Sequence, residues 1–251
     1  MCIIAAWTSC PYKHIDGRAN PDTKTLSGPG NTNDMSQAVF FNAMSYAITG
    51  TRSYSQKTAS FLEAFFLEKD TAMAPNVNFG QIVRGVGPEH RVGTFTGVLD
   101  MRGMIKVANA ILTLKATKSQ DWDTQKDAAM MLWLKQYLGW LESSPIAQKT
   151  ASSAKYVSLR NIFGLCLIED RFYSNHATFF YAQLAAVKLV ADDGAGAQDA
   201  LNRYFDNKFM DHIAASGEQP FEAVRANPYH YRCFNLEAMI VSLITVYRRG
   251  C

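Results

Sequence analysis

From His176 to Val190 apolar side chains point in nearly every direction of a helical wheel: Phe179, Phe180, Tyr181, Leu184, Ala185 and Val187 leave no polar stripe. A helix of this kind has to be covered on more than one side. Val98 to Ala116 has the same character. Other segments carry apolar residues at three- and four-residue spacing, and none shows the strict alternation of a half-buried strand. The chain therefore reads as all-α, built from helical hairpins with an inner layer packed on both faces. At 251 residues and 48% hydrophobic composition it can bury roughly 70 to 75% of its unfolded surface, enough for one domain over 1–251.

The first 33 residues are rich in Pro, Gly, Asn, Asp and Thr, with turns expected at Asp16-Gly17 and Pro29-Gly30. Asn33 or Asp34 is expected to cap a first helix with Val39, Phe40, Ala43, Met44 and Ala47 on one face, ending at Gly50. Ser53 or Ser55 opens a second, with Phe61, Leu62, Phe65 and Phe66 on one side. Ala72 to Thr96 reads as a loop too long to be a mere connection, hence a candidate binding segment. Helical spacing resumes in Val98–Ala116, Trp122–Ser143, Ala197–Ile213 and Cys233–Arg249.

Several function classes are disfavoured. A net charge of +3, from 25 basic and 22 acidic residues scattered without runs, is too little for nucleic-acid binding by charge. The longest apolar stretches, such as Met239 to Tyr247, are half the length of a membrane span. The start "MCIIAAWTSC" lacks the basic region of a signal peptide. Cys2, Cys10, Cys166, Cys233 and Cys251 lie far apart, with no spacing that suits a metal.

Two segments combine polar density with a helix start. In "SNHATFFYAQ", Asn175, His176 and, further on, Gln183 can share a face. "GEQPFEAVRANPYHYRCFN" gathers Glu218, Gln219, Glu222, Arg225, Tyr229, His230, Tyr231, Arg232 and Asn235. There is no nucleophile beside a base and no phosphate-binding glycine loop. An imidazole, phenols, amides and guanidinium groups suit proton abstraction next to a carboxylate, followed by protonation of a leaving oxygen. Taken singly, each has a structural reading too: His176 as a capping residue, Tyr229 and Tyr231 as packing residues in a Pro-Tyr-His-Tyr turn, Glu222 and Arg225 as a surface pair.

"WTSCPYKHIDGRANPD", "GQIVRG…GTFTGVLD", "SNHATFFYAQLAAVKLVADD" and "GEQPFEAVRANPYHYRCFNLEAMI" together resemble, in order, motifs of the fungal branch of the alginate lyase superfamily. The resemblance runs from Trp7 to the C-terminus. It implies an (α/α) toroid of helical hairpins and metal-independent, cofactor-free β-elimination of an acidic polysaccharide, a β-1,4-linked uronate such as alginate or glucuronan. It implies that Asn175 helps neutralise the substrate carboxylate and that His176 assists or acts as base. Tyr231, or else Tyr229, would be the catalytic tyrosine, and Arg225 would bind uronate carboxylates. Gln81 and Arg84 in the long loop, with Gln219 and His230, would contact substrate. The family is secreted, whereas this sequence shows no signal peptide.

Departures from the pattern are as informative. Phe95 stands where the family has His, Ser174 replaces the first Asn of its NNH motif, and Ala177 replaces its Gly. Family members carry an upstream segment, including a cysteine able to pair with Cys10, so an incomplete toroid is expected, with self-association of an otherwise monomeric chain through the faces left exposed. Residues 155–174 have no counterpart; they are either an inserted helix-loop or a retained in-frame intron, since Val157-Ser158 can be encoded by GTAAGT and Tyr173-Ser174 read through TACAG. An alternative to the enzyme is a catalytically inactive helical scaffold or glycan-binding remnant.

Overall fold

A computed structural model describes residues 16–18, 27–83, 85–152 and 174–247. Arg84, Cys10 and residues 155–173 of the possible insertion lie outside the described residues. The fold is all-α, and no strand occurs among the described residues. Ten α-helices are described, α1 (Gly28–Thr49), α2 (Arg52–Leu62), α3 (Met104–Ala116), α4 (Thr124–Ser143), α5 (Pro145–Ser152), α6 (Ser174–Val190), α7 (Gly194–Tyr204), α8 (Met210–His212), α9 (Pro220–Ala223) and α10 (Pro228–Tyr247). Short π turns, Glu63–Leu67 and Phe205–Phe209, extend α2 and α7.

α6 is the inner element. Every residue from Asn175 to Val187 is buried, and α6 packs against α3, α4, α5, α7 and α10. Its polar members are built into the core. Gln183 accepts from the Tyr137 hydroxyl on α4 at 3.0 Å and donates to the Val98 carbonyl at 3.2 Å. Gln183 lies about two turns along the same side of α6 from His176, but its amide is engaged by Tyr137 and Val98.

Several element boundaries differ from expectation. "SGPGNTN" is not a loop but the first turn of α1, because Pro29 sits where its missing N–H costs nothing. The end at Gly50 is as expected, in the left-handed region at φ 69° with its N–H on the Tyr46 carbonyl. On α1 only Val39 and Ala43 of the five predicted positions are buried; Met44 is exposed. On α2 the buried stripe is Ser55, Thr58, Ala59 and Leu62, which leaves Phe61 facing out, and Phe66 in the π turn that follows also enters the core. Val98–Ala116 is split, with a 3-10 stretch Phe95–Met101 before α3. Gly103 lies at the break, where a Cβ would collide with Ser36 Oγ on α1. α10 begins at Pro228, so the Pro-Tyr-His-Tyr segment is the helix's first turn and not a turn ahead of it.

Among the described residues Ala72 to Thr94 is a loop with a short 3-10 stretch at Pro88–Arg91, and Phe95 and Thr96 already open the 3-10 stretch Phe95–Met101. It is fastened to α4 by Trp133 Nε1 on the Met73 carbonyl (2.9 Å) and Trp140 Nε1 on Asn78 Oδ1 (2.7 Å). Within it Gly93 N–H donates to Asn78 O at 2.6 Å and Thr94 N–H to Gly80 O at 3.0 Å. Gly97 packs its Cα hydrogens on this fold, since a Cβ there would lie 2.6 Å from the Gly80 carbonyl oxygen. Backbone cannot yield as a flexible side chain would. Gly97→Ala is expected to cost about 1–3 kcal/mol, read as a lowered urea midpoint, whereas Gly139→Ala, at an exposed position inside α4 where the Cβ would enter open space, should raise the midpoint, by about 1 kcal/mol.

His212 is buried beside Thr178, whose Oγ1 lies 3.2 Å from Nδ1, with the Tyr204 ring at 5.8 Å. Burial, seconded by Lys208, pushes its pKa down to about 4 from 6.5. The unfolded chain therefore holds more protons than the fold between these values. The contribution of His212 is complete above pH 6.5 and is lost as pH falls toward 4. Stability measured by denaturant at pH 7 and pH 4.5 should fall less in His212→Phe than in the wild type.

Candidate active site

The N-terminus of α6 and the segment from α9 into α10 meet at a buried carboxylate. Glu222 is fully buried. Its Oε1 accepts from the Asn175 backbone N–H at 3.1 Å, and its two oxygens accept from Asn175 Nδ2 at 3.1 and 3.0 Å. An anion at a helix N-terminus meets exposed N–H groups and the positive end of the helix dipole, which offsets part of its desolvation. A second charge balances it, Arg225 Nη1 at 3.4 Å from Oε2. The pair expected as a surface contact is thus an interior one, with side-chain exposures of 10% and 0%.

Arg225 is held from its other edge by Asp16. Its Nε and Nη2 donate to Asp16 Oδ1 at 3.0 and 2.8 Å, and Asp16 Oδ2 accepts the Ala226 N–H at 2.8 Å. The guanidinium carbon lies 3.5 Å from the centroid of the Tyr231 ring, close enough for a cation–π contact. His176 follows Asn175 on α6, buried to 5% exposure. Burial, with Arg225 adding repulsion, pushes its pKa down to about 3. It is a neutral imidazole at any pH near 7. The ring of Phe95 meets it edge-on at 5.3 Å, so the position expected to lose a cleft histidine packs directly on the remaining one. Lys149 Nζ lies 5.4 Å from the centroid of the Phe95 ring.

The two tyrosines differ sharply. Tyr229 is 81% exposed, whereas Tyr231 is partly buried against Arg225. Burial raises the Tyr231 phenol above its ordinary value; Arg225 pulls it down, and Asp16 and Glu222 push it up. The cluster of imidazole, guanidinium, phenol and carboxylates is a set of acid–base groups whose charges oppose one another across a few ångströms.

A family model described as Alginate lyase matches residues 5–250. The chain belongs to the alginate lyase family. A crystal structure of an alginate lyase from Bacteroides ovatus superposes with a TM-score of 0.80 at 24% identity, covering 96% of this chain and 57% of that one. This likeness carries the fold, an (α/α) toroid, and the chain spans little more than half the length of that protein. No curated protein matches the sequence.

Among the other residues picked out by the family motifs, Gln219 is buried; its Nε2 donates to the Arg232 carbonyl at 3.2 Å and its Oε1 accepts from Asn235 at 2.8 Å. It braces the start of α10. His230 is exposed, edge-on to Tyr231 at 5.3 Å and stacked with Phe234 at 6.1 Å. Gln81, exposed in the long loop at φ 48°, donates to Asp100 Oδ1 at 2.8 Å. Asp16 was not expected at the site, and Glu222 was expected only as a member of the polar cluster or as a surface partner of Arg225. The one available signal was that Asp16 falls inside the first family motif and Glu222 inside the last.

Glu222 carries the network. Glu222→Gln keeps the shape but removes the charge facing Arg225 and turns a donor toward Asn175 Nδ2. Breaking a buried pair on one side is expected to cost about 3–5 kcal/mol, measured by urea unfolding, and far more than Glu218→Gln, whose partner Arg232 is an exposed ion pair at 2.8 Å.

Proposed function

We propose that the chain is a polysaccharide lyase that cleaves β-1,4-linked uronate polymers, alginate or glucuronan, by β-elimination. The observation that carries this reading is the convergence of His176, Arg225 and Tyr231 on one carboxylate-buttressed cluster, supported by membership of the alginate lyase family. The solved structure it resembles bears the name of an alginate lyase.

In the reaction the proton on C5 of a uronate leaves, its electron pair forms the C4–C5 double bond, the C4–O bond breaks, and the leaving oxygen takes a proton. A group whose pKa is about 3 is a weak base at neutral pH. His176 accordingly serves as a neutral donor toward the substrate carboxylate, which favours the enolate as it forms. Tyr231, as phenolate, takes the C5 proton and returns it to the leaving oxygen. Asn175, whose Nδ2 is engaged by Glu222, meets the polymer only by exchanging that partner. Charge neutralisation is assigned to these side chains.

The test is ultraviolet absorbance of the unsaturated uronate on incubation with alginate and with glucuronan. A rise on one polymer is expected, abolished in Tyr231→Phe and retained in Tyr229→Phe. Because the phenol sits above its ordinary pKa, the ionised fraction grows with pH, and kcat/KM should climb toward about tenfold per pH unit from neutral into the alkaline range. Absence of any rise on both polymers, beside an active full-length relative, assigns the chain to the scaffold reading instead; loss with Tyr229→Phe in place of Tyr231→Phe moves the catalytic role to Tyr229.

A further inference from the structure

An arginine in a lyase cleft is naturally assigned to the carboxylates of the polymer, since its planar fork suits them. In this fold the fork of Arg225 is already filled. One edge, Nε and Nη2, lies on Asp16 Oδ1 at 3.0 and 2.8 Å, with Nε 3.2 Å from Oδ2. The opposite nitrogen, Nη1, faces Glu222 Oε2 at 3.4 Å. The guanidinium carbon rests over the Tyr231 ring at 3.5 Å. Both carboxylates are shielded, with side-chain exposures of 12% for Asp16 and 0% for Glu222.

Asp16 is itself fixed by more than this ion pair. Its Oδ2 also accepts the Ala226 N–H at 2.8 Å, tying it to the backbone directly after the arginine it grips. Gly17, next along, stands at φ 71°, and a Cβ there would come within 2.9 Å of Asn227 Nδ2 and 3.1 Å of Ala226 Cβ. The Asp16-Gly17 pair is therefore seated on the turn between α9 and α10 by a conformation and a clearance that favour glycine. Two hundred and nine residues of sequence separate Asp16 from Arg225, yet the contact has the geometry of a dedicated clamp.

We propose that Asp16 is a positioning residue of the site: together with Glu222 it holds the Arg225 guanidinium against Tyr231, so that Arg225 acts on the phenol and not on the polymer. The consequence for the reaction rests on the lyase reading, in which Tyr231 exchanges the proton; the clamp itself does not. The groups facing Tyr231 are Arg225, Asp16 and Glu222, with the His230 ring edge-on at 5.3 Å. Of the three charges Arg225 has the largest influence, favouring the phenolate, and the two carboxylates oppose it.

That opposition makes the sign of one measurement decisive. The Tyr231 phenol is titrated by ultraviolet difference between each protein and its Tyr231→Phe counterpart, without polymer. Arg225→Gln should raise the titration midpoint by about one pH unit or more, since a cation at this distance lowers a neighbouring acid by that amount. Asp16→Ala removes a negative charge, which by itself would lower the midpoint. If Asp16 positions Arg225, the guanidinium leaves the ring and the midpoint rises instead. An unchanged or lowered midpoint in Asp16→Ala overturns the proposal. Should Asp16→Ala fail to fold, Asp16→Asn is read by the same rule. On an active polymer, Asp16→Ala and Arg225→Gln should each lower kcat about tenfold or more with KM little changed, and the double variant should be no worse than Arg225→Gln. Losses that multiply, or that fall on KM alone, overturn it. If the wild type turns over neither polymer, the lyase reading fails while the titration still decides the clamp.

Discussion

α6 has no side facing solvent, and the rest of the structure is arranged around that constraint. A helix buried from Asn175 to Val187 removes apolar surface on every side, at roughly 25 cal/mol per Å², but only if neighbours close over all of it. α3, α4, α5, α7 and α10 do so. The same closure obliges each polar group on α6 to find a partner inside. Gln183 is answered by Tyr137 and Val98, Thr178 by His212, and Asn175 by Glu222. The candidate site is the end of this series, where the partner is a charge.

A buried carboxylate is costly to hold unless cations and N–H donors surround it. Glu222 obtains an amide, a helix N-terminus and Arg225. Arg225 carries one charge against two carboxylates, and the resulting field reaches both catalytic candidates. His176 is kept neutral by burial and by that cation, and Tyr231 is pushed upward by burial and downward by the guanidinium on its face. Acid–base poise here comes from the order in which charges are stacked around one glutamate.

Much of the fold was legible because long, strongly periodic helices announce themselves. The segments that became α4 and α6 lie close to their predicted bounds, and among the described residues the predicted loop runs from Ala72 to Thr94, its last two positions opening a 3-10 stretch. Failures cluster where local signals compete. Pro29 reads equally as a turn residue or as the first residue of a helix, and the helix prevailed because Met35, Ser36 and Val39 had a core to enter. On α2 the small polar residues Ser55 and Thr58, with Ala59, are buried beside Leu62 while Phe61 faces out, a choice that hydrophobicity alone does not reveal. At the site, Asn175, His176 and Tyr231 were found through motifs, while Asp16 was passed over as turn chemistry. Its partner lies at the opposite end of the chain, and spacing reports only on near neighbours.

By itself the sequence determined the class and the cast: an all-α chain with an inner helix apolar all round, and ordered motifs that place it in the alginate lyase family across residues 5–250. Composition and periodicity suffice for the class, since they record which faces must avoid water. Only the tertiary structure decided which of these groups meet, that Glu222 and Arg225 are an interior pair, that Tyr231 and not Tyr229 lies under the guanidinium, and that Asp16 closes the clamp. The reason is physical: burial and charge proximity, which set the chemistry of every one of these side chains, are properties of the packed chain and of no single segment of it.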